Sequence, residues 1–88
     1  MTIERLGVQP IVAASTAAAA KQVYRVVELG EGGETSLEVG CTNDLSVEGN
    51  ANYVHWSATA ETCRVERSIG GLFEPLGETA DGFYVDRG

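Results

Sequence analysis

The chain has 88 residues, of which 13 are acidic and 6 basic, and carries a net charge of −7. A chain of this size is one domain with little stability to spare. The charge argues against nucleic-acid and anionic-membrane binders, which need a Lys/Arg surface, and one His with two Cys is too little for most metal sites or nucleophile–base pairs.

Residues 1 to 20 read as an arm. Ile11 and Val12 lead into an Ala-rich run interrupted by Ser15 and Thr16. No stretch approaches the roughly 20 apolar residues of a membrane span. The flank before the run has no net positive charge, which argues against a secretory leader. Ala favours helix, but an isolated helix shorter than about 12–15 residues is marginal in water. The expectation is a segment that orders only on a protein neighbour, anchored by Ile3, Leu6, Val8, Ile11 and Val12.

Residues 21 to 88 read as an all-β domain. Val23-Tyr24-Arg25-Val26-Val27 is β-branched and aromatic, which favours a strand. Gly30, Gly32 and Gly33 mark a turn, and residues 35 to 39 return with Leu37 and Val39 on one face. The hairpin therefore spans residues 21 to 39. A rival reading runs one helix from Ile11 to Leu29, capped by Gly30; the β-branched cluster at its end weighs against it.

Five short strands follow in residues 43 to 88, at the spacing of a sandwich. Leu45-Ser46-Val47 is the first. Tyr53 to Ala58 alternates, with Val54 and Trp56 on the core face. Residues 63 to 67 alternate again, with Cys63 and Val65 inward. Pro75 in the next strand suggests a sheet edge, and Asp81-Gly82 turns into Phe83-Tyr84-Val85-Asp86.

Residues 43 to 88 resemble the first five strands of a fibronectin type III domain. Asn43-Asp44-Leu45-Ser46-Val47 is similar to strand A, Val54-His55-Trp56-Ser57-Ala58 to strand B, and Cys63-Arg64-Val65-Glu66-Arg67 with Gly70-Gly71 to strand C and its turn. Phe73 to Thr79 is similar to strand C′, and Tyr84-Val85-Asp86-Arg87-Gly88 to the end of strand E. Val23-Tyr24-Arg25-Val26 resembles strand F but precedes the others, and Glu28 departs from the family's small apolar residue there. The resemblance thus implies an immunoglobulin-like sandwich with strands in the order F-G-A-B-C-C′-E. A fragment of two tandem domains, a permuted domain closing on itself, and a hairpin donated to a neighbour all fit that order. In the donated case, Val23, Tyr24, Val26, Leu37 and Val39 carry the exchange.

Cys41 and Cys63 are a candidate disulfide pair, since both fall near one pole of the resembled sandwich; the bond needs Cα atoms within roughly 4.4–6.8 Å. His55 reads as a surface residue without the partners of a catalytic base. Trp56, Tyr24 and Tyr84 read as core, and Tyr53 and Phe73 as exposed contact aromatics. No cofactor or metal ligand set is visible: no Asp-x-Asp-x-Asp string suggests calcium, and neither Gly-rich turn leads into a helix with a following Lys.

The expectation is a non-enzymatic structural or assembly protein with protein neighbours and neither nucleic acid nor membrane as partner. A decoration or cement subunit of a phage capsid, or a filament subunit, fits that description, on a virion or outside the cell. The alternative is a secreted carbohydrate- or cell-surface-binding module with an exposed aromatic platform.

Overall fold

A computed structural model describes residues 5–29, 35–57 and 62–88. The described residues form seven strands: β1 (Gly7–Ile11), β2 (Ala20–Glu28), β3 (Thr35–Asn43), β4 (Ala51–His55), β5 (Cys63–Ser68), β6 (Phe73–Thr79) and β7 (Phe83–Asp86). They make two antiparallel sheets, one of three strands in the order β1-β4-β7 and one of four in the order β3-β2-β5-β6. The fold is all-β, and among the described residues no helix is present. The rival helix from Ile11 to Leu29 is excluded by β2, whose β-branched and aromatic residues pair on both sides, with β3 and with β5.

One core joins the sheets. Tyr24, Val26, Cys63 and Val65 come from the four-stranded sheet, and Val54 and Trp56 from β4 and the residue after it. Alternation explains the choice: Tyr24 and Val26, and Cys63 and Val65, are spaced two apart on strands whose intervening residues face outward. Leu6, Val8, Val39, Cys41, Leu76 and Tyr84 pack around this cluster. Two sheets sharing a core in this way are compatible with a β-sandwich.

The sequence reading places strand A at residues 43 to 47, and the structure corrects this. Asn43 ends β3, and the chain then turns: the Val47 N–H donates to the Asp44 carbonyl at 3.3 Å, and the Asn50 N–H to the Val47 carbonyl at 3.1 Å. The Asp44 carboxylate accepts the Ser46 N–H at 3.1 Å and its hydroxyl at 2.5 Å, and also the Thr16 hydroxyl. These bonds satisfy the chain locally in a turn instead of a ladder. They also hold the Asp44 carboxyl below its ordinary value.

The place beside β4 belongs to β1, which pairs from Gly7↔His55 to Ile11↔Ala51. Part of the expected arm is therefore a strand of the three-stranded sheet. Leu6 and Val8 pack against the core, Ile11 and Val12 are exposed, and Ile3 lies outside the described residues.

A polar cluster fills one end of the space between the sheets. The Tyr24 hydroxyl donates to Asp86 Oδ2 at 2.6 Å and accepts from Asn52 Nδ2 at 2.7 Å. Asn52 also donates to Gln22 Oε1 at 3.1 Å and accepts from Asn43 Nδ2 at 2.9 Å. Arg67 Nη1 reaches both Asp86 oxygens, at 2.9 and 2.8 Å. Burial, reinforced by Asp86, keeps the Tyr24 hydroxyl protonated far above its ordinary pKa. Satisfied buried groups of this kind fix strand register. A one-residue slip of β4 would expel Asn52 and bury Tyr53.

Candidate interaction face on the three-stranded sheet

That register decides what the three-stranded sheet shows to solvent. Val54 pairs with Val8 and Tyr84, which pack on the core. The intervening positions face outward, with Gly7, Gln9 and Ile11 on β1, Tyr53 and His55 on β4, and Phe83 and Val85 on β7, while Ala51 at the end of β4 is buried. None of these ladder positions carries one of the chain's 13 acidic or 6 basic residues.

Three rings occupy the middle of this face. Tyr53 stacks on His55 with centroids 5.5 Å apart and an interplanar angle of 29°. Phe83 lies 5.8 Å from Tyr53, tilted by 31°. Offset and tilted pairs at this spacing are favourable aromatic contacts. Gly7 makes room for the His55 ring, because a Cβ there would sit 2.7 Å from His55 Cε1. Phe83 remains 44% exposed and Ile11 47%.

The outer face of the four-stranded sheet is built differently. Glu66 accepts from Arg25 Nε at 2.6 Å and from Arg64 Nε at 2.7 Å. Burial alone would raise the Glu66 carboxyl, but the two guanidiniums outweigh it and hold it below its ordinary value. The Arg25 guanidinium also lies 4.1 Å from the centre of the Phe73 ring, a cation–π contact. Phe73 and Tyr53, read as exposed from the sequence, are both half-buried, Phe73 beneath a cation and Tyr53 within the ring cluster on the other sheet. Phe83 is absent from the sequence-based contact residues, although the signal was present: with Tyr84 directed to the core, alternation sends Phe83 outward.

Other candidate residues are dispersed. Val23 is half-buried, Tyr24 and Val26 are fully buried, Val39 packs on the core and Leu37 is exposed. The hairpin they belong to pairs through β2 with β5 of the same chain. Cys41 and Cys63 are both thiols, so the candidate disulfide is not formed. They flank β2 at separate points, Cys41 opposite Gln22 and Cys63 opposite Glu28. Six residues of strand span about 20 Å, far beyond disulfide reach. Burial pushes the Cys41 thiol up, and the Asp86 charge adds to it.

Among the described residues, no group of three or more His, Cys, Asp and Glu side chains is placed to hold a metal ion. Among them, too, no helix is long and apolar enough to cross a membrane. No family model matches the chain, and no curated protein or solved structure shows significant similarity to it.

Proposed function

We propose that this chain is a non-enzymatic interaction module, resembling a fibronectin type III sandwich, that joins protein neighbours in a larger assembly. The observation carrying this reading is the charge-free outer face of the three-stranded sheet, with Tyr53, His55 and Phe83 at its centre. Aromatic residues are enriched and charged ones depleted at the centres of protein interfaces. On a chain of net charge −7, such a face stands out.

The sheet composition supports the fold-level part of the proposal. Immunoglobulin-type sandwiches place strands A, B and E in one sheet and C, F and G in the other, with C′ added beyond C in some. With β4, β5, β6 and β7 as B, C, C′ and E, and β2–β3 as F–G, the two observed sheets become A-B-E and G-F-C-C′. The strand in position A is β1, and the F–G hairpin precedes B in the chain.

A subunit decorating a viral capsid or building an extracellular filament would use such a face to seat on its neighbours. The test replaces Phe83 by Glu, with Glu78→Lys on the other sheet as control, and follows retention of the chain on its native assembly. Loss with Phe83→Glu alone is expected, at roughly tenfold or more for a central interface aromatic. Retention of both variants equally would refute the proposal.

A second reading rests on the same rings, which offer a carbohydrate a stacking surface. Titration with soluble oligosaccharides, followed by NMR, separates the two. Saturable shifts centred on Tyr53, His55 and Phe83 would favour the sugar, and their absence the protein partner.

A further inference from the structure

The sheets leave four edge strands, β1, β7, β3 and β6. Exposed edges invite pairing with other chains unless they are blunted. β1 carries Pro10, and β7 has four residues. β6 carries Pro75 and faces a register shift at Val65/Glu66. β3 has none of these protections. It runs nine residues, Thr-Ser-Leu-Glu-Val-Gly-Cys-Thr-Asn, with no Pro, no Lys or Arg and one charge, Glu38. Its other flank pairs with β2 along the whole length, from Thr35↔Glu28 to Asn43↔Ala20.

Leu37 adds a second observation. Alternation puts it on the core side with Val39 and Cys41, which pack against the core, yet Leu37 is 38% exposed. A strand laid beside β3 would cover it.

We propose that β3 is a self-association edge: two copies of this chain pair antiparallel through β3, so that their four-stranded sheets become one continuous sheet. The sequence of β3 fits a second copy in particular. Full-length overlap of Thr35–Asn43 is centred on Val39. That register sets Val39 opposite Val39 of the second copy and Leu37 opposite Cys41, both on the core side. It also sets Glu38 opposite Gly40. Moving the centre to Glu38 would place like charges opposite each other and shorten the ladder. The contact is two-fold symmetric and closes on itself. It does not depend on the aromatic face.

The experiment is light scattering of the purified chain across dilutions, with two variants, and disulfide cross-linking of two more. The wild type is expected to show twice the 9.3 kDa chain mass at the higher concentrations. Leu37→Lys puts an inward-pointing charge on the edge and is expected to give a monomer with an unchanged circular dichroism spectrum. Phe83→Ser is expected to remain a dimer. For register, Val39→Cys in a Cys41→Ser background is expected to form an interchain disulfide under mild oxidation, whereas Glu78→Cys in that background is not. A wild type that stays monomeric overturns the proposal. So does a dimer that Leu37→Lys leaves intact, one that Phe83→Ser dissociates, or one in which Val39→Cys cross-links no better than Glu78→Cys.

Discussion

The outer faces of the two sheets solve the same problem in opposite ways. Each is a half-solvated β surface on a small acidic domain. On the four-stranded sheet, Arg25 and Arg64 converge on Glu66 and Arg25 covers Phe73, so charge satisfies charge and the aromatic ring is shielded. On the three-stranded sheet, Tyr53, His55 and Phe83 pack on one another, and no charged side chain occupies a ladder position beside them. A face whose groups are paired internally offers little to a partner. A face with one exposed ring, two half-buried ones and no charges at its ladder positions gains from being covered, because burial of apolar area stabilises by roughly 25 cal/mol per Å². The difference favours the smaller sheet as the contact surface.

The largest effect should come from the frame both faces share. Asp86→Ala removes the acceptor of the buried Tyr24 hydroxyl and the partner of Arg67. Leaving the buried Tyr24 hydroxyl without an acceptor and the half-buried Arg67 without its carboxylate is expected to cost about 2–4 kcal/mol. Against the ~5–15 kcal/mol stability of ordinary domains, denaturant melts should show a chain close to unfolding. A melt within about 1 kcal/mol of wild type, little more than an ordinary surface substitution costs, would mean the polar cluster does not hold the register, and the assignment of outward residues would lose its basis.

Glu66→Ala tests the paired face alone. It leaves Arg25 and Arg64 facing each other, and we expect about 1–2 kcal/mol of destabilisation with no loss of partner contact. An acid titration sharpens the same point. Folding holds the Glu66 and Asp44 carboxyls below their ordinary values of 4.5 and 3.8. Their contribution is therefore fully present above those values. It is lost as pH falls through the lower folded values. Denaturant midpoints should fall with pH across that acid window, and Glu66→Ala should flatten the dependence. The smallest effect belongs to Gly7→Ala, expected within about 0.5 kcal/mol of wild type. Its methyl must displace the His55 ring, so the His55 and Tyr53 ring protons should shift while the rest of the NMR spectrum stays in place.

What could be read from residues alone follows from where local and long-range forces agree. Strands β2, β4 and β5 carry β-branched or aromatic residues in alternation, so propensity and burial point the same way. The core roles of Tyr24, Val54, Trp56 and Val65 followed from that spacing. β1 did not announce itself, because Gly-Val-Gln-Pro-Ile has weak strand propensity and is held by pairing with β4, far along the chain. Leu45 and Val47 gave a false alternation: the Asp44 carboxylate and backbone carbonyl organise that segment as turns. The cysteines could not be placed without knowing that β2 separates them. Phe83 was recoverable, since the turn at Asp81-Gly82 and the inward Tyr84 fix its side. The ring cluster itself needed the register of three strands that are distant in sequence.

The most direct test of the contact face is site-specific photocrosslinking. A benzophenone amino acid replaces Phe83 in one preparation and Glu78, on the other sheet, in a second, and each is irradiated within the native assembly. The account predicts a discrete protein adduct from position 83 and none from position 78. Equal adducts from both positions, or an adduct from position 78 alone, would contradict it.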